Sequence, residues 1–266
     1  MLKNIMTIIS LCCTFAFTAC QKVISLDLRT APPVYVIEGN VTDQPGPYQV
    51  QITQTTGFYA ANTFSGVPGA SVSIADGAGH SENLTDNGGG IYMTNTLQGV
   101  QGQIYFLRVM IDKDTFTATS TMPSRVNLDS VYITSVLNGG KSVLVAVPAL
   151  INPPAPKIAY YFFDQTINGY LDKTLYYGNS QFTAGQPNSF SLERSSPDST
   201  LHIGDTVQVE MQCIDQAMYT YWSSVDQSAT GQGSAYPGNP VTNLSGEALG
   251  YFSAHTSQVK RARVNE

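Results

Sequence analysis

"YQVQITQT", residues 48–55, places Tyr48, Val50 and Ile52 on one side of an extended chain and Gln49, Gln51 and Thr53 on the other. Successive side chains leave a pleated strand on opposite faces, so this period of two predicts a half-buried β-strand. The pattern continues in both directions. Upstream, "VYVIEGNVTD" sets Val34, Val36 and Glu38 against Tyr35 and Ile37. Downstream come "ASVSIAD" with Val72 and Ile74 inward, "IYMTNTL", "QIYFLRVMI" and "TFTATSTMP". Turns rich in Asp, Asn and Gly separate them at Asp76-Gly77, Asp86 to Gly90 and Asp112 to Asp114; these residues tolerate the required backbone angles. Strand-sized runs punctuated every ~8–12 residues indicate a β-sandwich, which Pro123 closes.

The second half repeats the style without repeating the sequence. Strands are expected at "DSVYITSVL", "SVLVAVPAL", "IAYYFFDQTI", "KTLYYGN", "SFSLER", "DTVQVEMQCI" and "YFSAHTSQVKRARV". "NPPAP", residues 152–156, must be a loop, because proline cannot donate to a ladder. One helix is expected over about 215–229, with Asp215 as N-cap. Ala217, Tyr221 and Val225 share one face of it, Met218 and Trp222 lie beside them, and Gly231 and Gly233 mark its end. The predicted fold is all-β, with two β-sandwich domains in tandem (34–123 and 124–266) and one short helix near the C-terminus.

The N-terminal residues carry an address. Lys3 is the only charge before a thirteen-residue apolar run, Ile5 to Phe17. As a helix this run reaches roughly 20 Å, short of the ~30 Å hydrocarbon core, so it reads as a signal peptide rather than a span. Phe17-Thr18-Ala19-Cys20 resembles the lipobox of bacterial lipoproteins, with Phe where Leu is usual. That resemblance implies removal of residues 1–19, lipidation of Cys20 and a tether over 20–33. Two or three acyl chains hold a protein stably at a membrane where one does not. Of four Cys, Cys12 and Cys13 leave with the signal and Cys20 carries lipid, so Cys213 alone remains in the folded part. It alternates with Val207, Val209 and Met211 and should face the core.

Charged residues make up 12 % of the chain, about half the usual ~25 %, with Thr, Ser, Asn, Gln, Gly and Tyr in their place. The net charge of -6 argues against nucleic acid, since nothing here could neutralise a row of phosphates. The short basic run Lys260-Arg261-Ala262-Arg263 reads as an edge strand or tail.

No catalytic cluster is legible. His80, His202 and His255 lie in separate segments, no Cys-x-x-Cys pair occurs, and Gly-x-Ser-x-Gly is absent. Gly140-Lys141-Ser142 matches the tail of a phosphate loop, but Ser135 stands where its first glycine belongs, and the segment joins two strands. Neither Asp112 with Asp114 nor Asp86 to Gly90 supplies a convincing oxygen set for calcium. No enzyme activity, cofactor or metal is expected.

The richest signal is aromatic. Tyr160, Tyr161, Phe162, Phe163, Tyr170, Tyr176 and Tyr177 crowd two neighbouring strands. Alternation makes both faces of "YYFF" apolar. Either this strand is central, covered by a core on one side and by the Trp222 helix on the other, or it presents a Tyr-rich platform for protein or carbohydrate recognition.

Taken in order, the lipobox, "VYVIEGNVTDQPGPYQVQITQTTGF", "VPGASVSIADGAGHSENLTDNGGGIYMT", "TATSTMPSRVNLDSVYI", "IDQAMYTYWSSVDQ" and "NPVTNLSGEALGYFSAHT" resemble the Bacteroidota lipoprotein family catalogued as domain of unknown function 4249. Ala248 stands where that pattern has a second glycine. The stretch "GVPGASVSIADGAGHSENLTDNGGGIYMT" is also similar to β-sandwiches of the prealbumin-like or carboxypeptidase-regulatory type, so immunoglobulin/prealbumin-like sandwiches are expected. The resemblance implies an outer-membrane lipoprotein acting as a non-enzymatic accessory or adaptor subunit of a TonB-dependent nutrient-uptake receptor. The alternative is a stand-alone ligand-binding lipoprotein using Tyr160, Tyr161, Tyr170, Tyr176, Tyr177 and Trp222. Gln21, Lys22 and Val23 follow the Cys instead of acidic residues, which leaves both the cell surface and the periplasmic face open.

Overall fold

The computed structural model describes residues 32–57, 64–195, 200–230 and 238–265. The expected signal peptide, Cys20, nearly all of the expected tether, and Gly231 and Gly233 lie outside the described residues. The chain is mostly strand, with one helix near the C-terminus.

The strands obey the period of two. In β7 (Ile104–Ile111) and the following β8 (Asp114–Thr121), buried and exposed residues alternate along nearly the whole length. These two strands form a four-stranded sheet with β3 (Ser71–Asp76) and β4 (Ser81–Asn83), in the order β4-β3-β7-β8. A larger sheet faces it. That sheet contains β1 (Tyr35–Thr42), β2 (Gln49–Gln54), β5 (Thr85–Asp86) and β6 (Ile91–Met93). It also contains β11 (Tyr160–Ile167), β12 (Tyr170–Leu171), β13 (Tyr176–Asn179), β14 (Thr206–Ile214) and β15 (Leu249–Arg263). Its order is β12-β11-β14-β15-β1-β2-β6-β5, with β13 paired to β11.

Strand β15 is the joint. Its first half runs parallel to β1, from Val36↔Leu249 to Thr42↔His255. Its second half runs antiparallel to β14, from Cys213↔Thr256 to Thr206↔Arg263. Even-numbered residues of β15 serve two cores on one sheet face. Phe252 and Ala254 join Ile37, Val50, Ile52, Leu107 and Val109 in the first core. Ala262 joins Tyr161, Phe163, Val209, Met211 and Cys213 in the second. The first core, built mainly from residues before Pro123, is therefore completed by Leu244, Ala248, Phe252 and Ala254.

The second core is closed by a hairpin of β9 (Ser130–Asn138) and β10 (Lys141–Ala149), which supply Val131 and Ala146. The hairpin turns at Gly139 and Gly140, both at positive φ, so Gly140-Lys141-Ser142 is a β-turn and its exit. "SFSLER" forms no strand; a single bridge, Ala146↔Leu192, is all it contributes. The Asn188 side chain just before it bonds the Pro148 carbonyl and both the carbonyl and the N–H of Phe190, occupying groups that a ladder would use.

The opposite face of the large sheet carries α1 (Gln216–Thr230). Asp215 caps it, its Oδ1 accepting the backbone N–H of Met218 at 2.9 Å. The helix seats Met218 and Tyr221 on Phe162 and Ile214, with Trp222 and Val225 beside them. Ala217, expected on the buried face, is exposed, because the seam runs through Met218, Tyr221, Trp222 and Val225 instead. Among the described residues no helix is long and apolar enough to cross a membrane.

Candidate functional site

Strand register assembles a polar face from four distant segments. Opposite the two cores, β1 presents Glu38 and Asn40, paired with Tyr251 and Ser253 of β15. Across β14 and β11, Gln212 stands beside Ser257 and Phe162, and Glu210 beside Asp164. Helix α1 covers only part of this surface. The rest is a trough of about 570 Å³ whose lining includes Asn40, Phe162, Asp164, Lys173, Gln212, Trp222, Tyr251, Ser253 and His255.

Its aromatic wall is a cluster of packed rings. Trp222 stacks on Phe162 with ring centroids 4.3 Å apart, and Tyr221 and Tyr251 meet it at 5.1 and 5.4 Å. The imidazole in its floor is uncharged at neutral pH. Burial drives His255 down to about 4, with Asp43 opposing weakly, and the ring Nδ1 lies 2.9 Å from Ser253 Oγ.

Asp164 is the unusual group. It is half-buried, and burial first, then the charge of Glu210, push its carboxyl up to about 6. Among the described residues it accepts one side-chain hydrogen bond, from Gln212 Nε2 at 3.2 Å. Two other carboxylates show what compensation looks like. Burial alone would raise Asp43, yet bonds from the Ser257 N–H, Arg125 and Gln44 hold it below its ordinary value. Asp172 is likewise held low against burial by Thr174 and by Arg194, whose Nε lies 2.7 Å away. Among the described residues Asp164 has no cation and no backbone donor of this kind, so its oxygens retain acceptor capacity toward the trough.

Volume alone does not select this site. A hollow of about 620 Å³ lies beside Arg125 and Lys260, but Arg125 is paired there with Asp43. A third, of about 300 Å³, lies under Pro123 and Ile158 and is largely apolar.

The aromatic residues singled out from the sequence are dispersed. Tyr161 and Tyr176 are buried in the second core. Tyr161 Oη donates to Asn152 Oδ1 at 2.9 Å, and Tyr176 Oη lies 3.3 Å from Asp172 Oδ2. Tyr160 and Tyr177 pack on Tyr219 of the helix at 5.2 and 5.7 Å, and Tyr177 Oη donates to Asp226 at 3.0 Å. Tyr170 alone is fully open, 82 % exposed. The strand is thus covered on both sides, and of the six residues only Trp222 lines the trough. The trough also takes Asn40, Asp164 and Gln212, which no sequence motif marks, and His255, which the sequence shows only as an isolated histidine. The available signal was the lone acid of "YYFFDQTI", which shares strand parity with Phe162.

Comparison with known families decides the affiliation. The family model described as "Domain of unknown function (DUF4249)" matches residues 21–261. The chain belongs to the DUF4249 family. A comparison with curated proteins returned no match. In this DUF4249 protein the match covers every strand from β1 to β14 and most of β15, so the trough lies wholly inside the family region.

Linkage makes Asp164 testable. A carboxyl whose folded value is raised contributes stability that is complete below about pH 4 and lost as pH rises through about 6. At about pH 7.5 the ionised group opposes folding. Asp164→Asn is therefore expected to stabilise the protein at that pH by about 1–2 kcal/mol, after discounting for solvent screening. The gain should shrink toward zero near pH ~4.5. Urea unfolding at both pH values measures it, and an unchanged midpoint at the higher pH would remove the argument.

Proposed function

We propose that this protein is a non-enzymatic, lipid-anchored subunit of the outer membrane that holds a small polar ligand in its trough. It serves as accessory to a TonB-dependent nutrient-uptake receptor. The observation that carries the reading is the trough itself, a concave polar surface with an aromatic wall and an under-bonded carboxylate, Asp164. The lipobox at Cys20 supports the anchor, and a tether over 20–33 would let the folded part reach a neighbouring receptor. A second reading, a stand-alone ligand-binding lipoprotein, draws on the same trough but needs no receptor.

Recovery from membranes separates the two. Tagged protein, mildly cross-linked and extracted, is expected to bring down an outer-membrane receptor and to carry radiolabelled palmitate that Cys20→Ser removes. Recovery of the lipoprotein alone would favour the stand-alone reading. An unlabelled wild-type chain would eliminate the anchor.

A further inference from the structure

We propose that the trough binds a neutral saccharide, with Trp222 as its apolar wall and Asp164, Gln212 and Asn40 as its hydrogen-bonding partners. This rests on the ligand-binding reading above and goes on to name the ligand class.

Charge comes first. Asp164, Asp172 and Lys173 line the trough, and Asp172 is already neutralised by Arg194. Asp164 and Lys173 offset each other within the lining. Glu210 stands beside Asp164 and accepts from Ser257 Oγ, and His255 is buried and uncharged at neutral pH. With Glu210 beside Asp164 and Glu38 on the same face, the surface is negative on balance, which disfavours an anion. Hydrogen bonding and shape are left to choose between a neutral ligand and a cation.

Hydrogen-bonding capacity comes second. Asp164 engages only the Gln212 amide among the described residues, so a ligand that donates several hydrogen bonds would meet an acceptor that the protein leaves under-used. Hydroxyl groups supply such donors without adding charge. The Asn40 amide, already bonded to Tyr251, and the Gln212 amide, already donating to Asp164, each keep a further donor and acceptor, which suits a hydroxyl that gives and takes.

Shape comes third. One face of Trp222 is already stacked on Phe162, and Tyr221 and Tyr251 flank it. Among the described residues no slot between two parallel rings is offered to a planar heterocycle. A narrow apolar wall beside polar groups matches the C–H patch and hydroxyl rim of a pyranose. The volume, about 570 Å³, falls within the ~300–1,000 Å³ of small-molecule sites.

The chain contains one tryptophan, Trp222, so its emission reports on this wall alone. The full chain, purified in a sugar-free detergent, is titrated with neutral oligosaccharides of glucose, galactose, mannose and xylose. Spermidine, a heparin fragment and adenosine are the comparison ligands. The expected result is a saturable change in emission with at least one neutral saccharide, weakened tenfold or more in Asp164→Asn. That variant is expected to fold at least as well as wild type. A response confined to spermidine, heparin or adenosine would overturn the saccharide assignment while leaving the trough as a ligand site. Silence from every probe, or a saccharide response unchanged in Asp164→Asn, would overturn the assignment of these residues. Calorimetry on the same samples separates these cases: heat without any change in Trp222 emission places binding elsewhere and overturns the trough as the site.

Discussion

Replacing Gly250 by alanine is expected to remove a large part of the protein's stability. Gly250 sits in β15 at φ +97°, and a Cβ there would lie 2.1 Å from the Ile37 carbonyl oxygen and 2.8 Å from its carbon. These are backbone atoms of the strand paired with it, Ile37↔Gly250, so no side-chain rotation relieves the clash. Either β1 moves away from β15 or the glycine flips, and each breaks the parallel ladder at the edge of the first core. We expect a loss of about 4 kcal/mol or more, comparable to the ~5–15 kcal/mol total of an ordinary domain. Gly79 provides the control. It has a similar φ of +94°, but an added methyl would meet nothing within 4 Å, so Gly79→Ala should cost only about 1 kcal/mol. Urea unfolding of both variants measures the difference. Equal losses would mean that close approach to Ile37 contributes nothing.

The second large effect is expected at Asp215, where one carboxylate serves three elements. Oδ1 accepts the Met218 N–H and caps α1, while Oδ2 accepts Ser120 Oγ at 2.7 Å and the Thr121 N–H at 3.0 Å. Ser120 Oγ in turn accepts the Ala254 N–H of β15 at 2.9 Å. Asp215→Ala removes a cap worth about 1 kcal/mol and strands partly buried donors at a further ~1–3 kcal/mol. A total of about 3 kcal/mol is expected, with Asp215→Asn recovering about half. Because α1 carries Trp222, the helix and the trough wall should loosen before the sheets do. Unfolding followed by Trp222 emission should precede unfolding followed by far-ultraviolet circular dichroism. Coincident transitions would show that the cap supports the whole fold equally and not the helix in particular.

Both positions illustrate what a linear reading reaches. Asp215 is legible as a cap because capping is local: an acceptor three residues ahead of an orphaned N–H, followed by an apolar seam. Its grip on Ser120, far away in the chain (|i−j| of 95), is not. Gly250 reads as one glycine among many until β1 is placed against it. The exposure of Ala217 shows the same limit, since helical spacing finds an apolar stripe but only the docked sheet decides which edge of that stripe is buried.

Period-two alternation determined most of the strands and the all-β class, with "SFSLER" the exception, because side-chain parity is a property of each strand alone. The quoted run keeps Val50 and Ile52 in the first core for that reason. The family pattern is likewise carried by contiguous residues. Strand neighbours are a different matter. Tertiary structure alone set β15 between β1 and β14, and with it the meeting of Asn40, Asp164, Gln212 and His255 in one trough. Pairing between segments so distant in the chain depends on which buried faces find each other, and no local period encodes that choice.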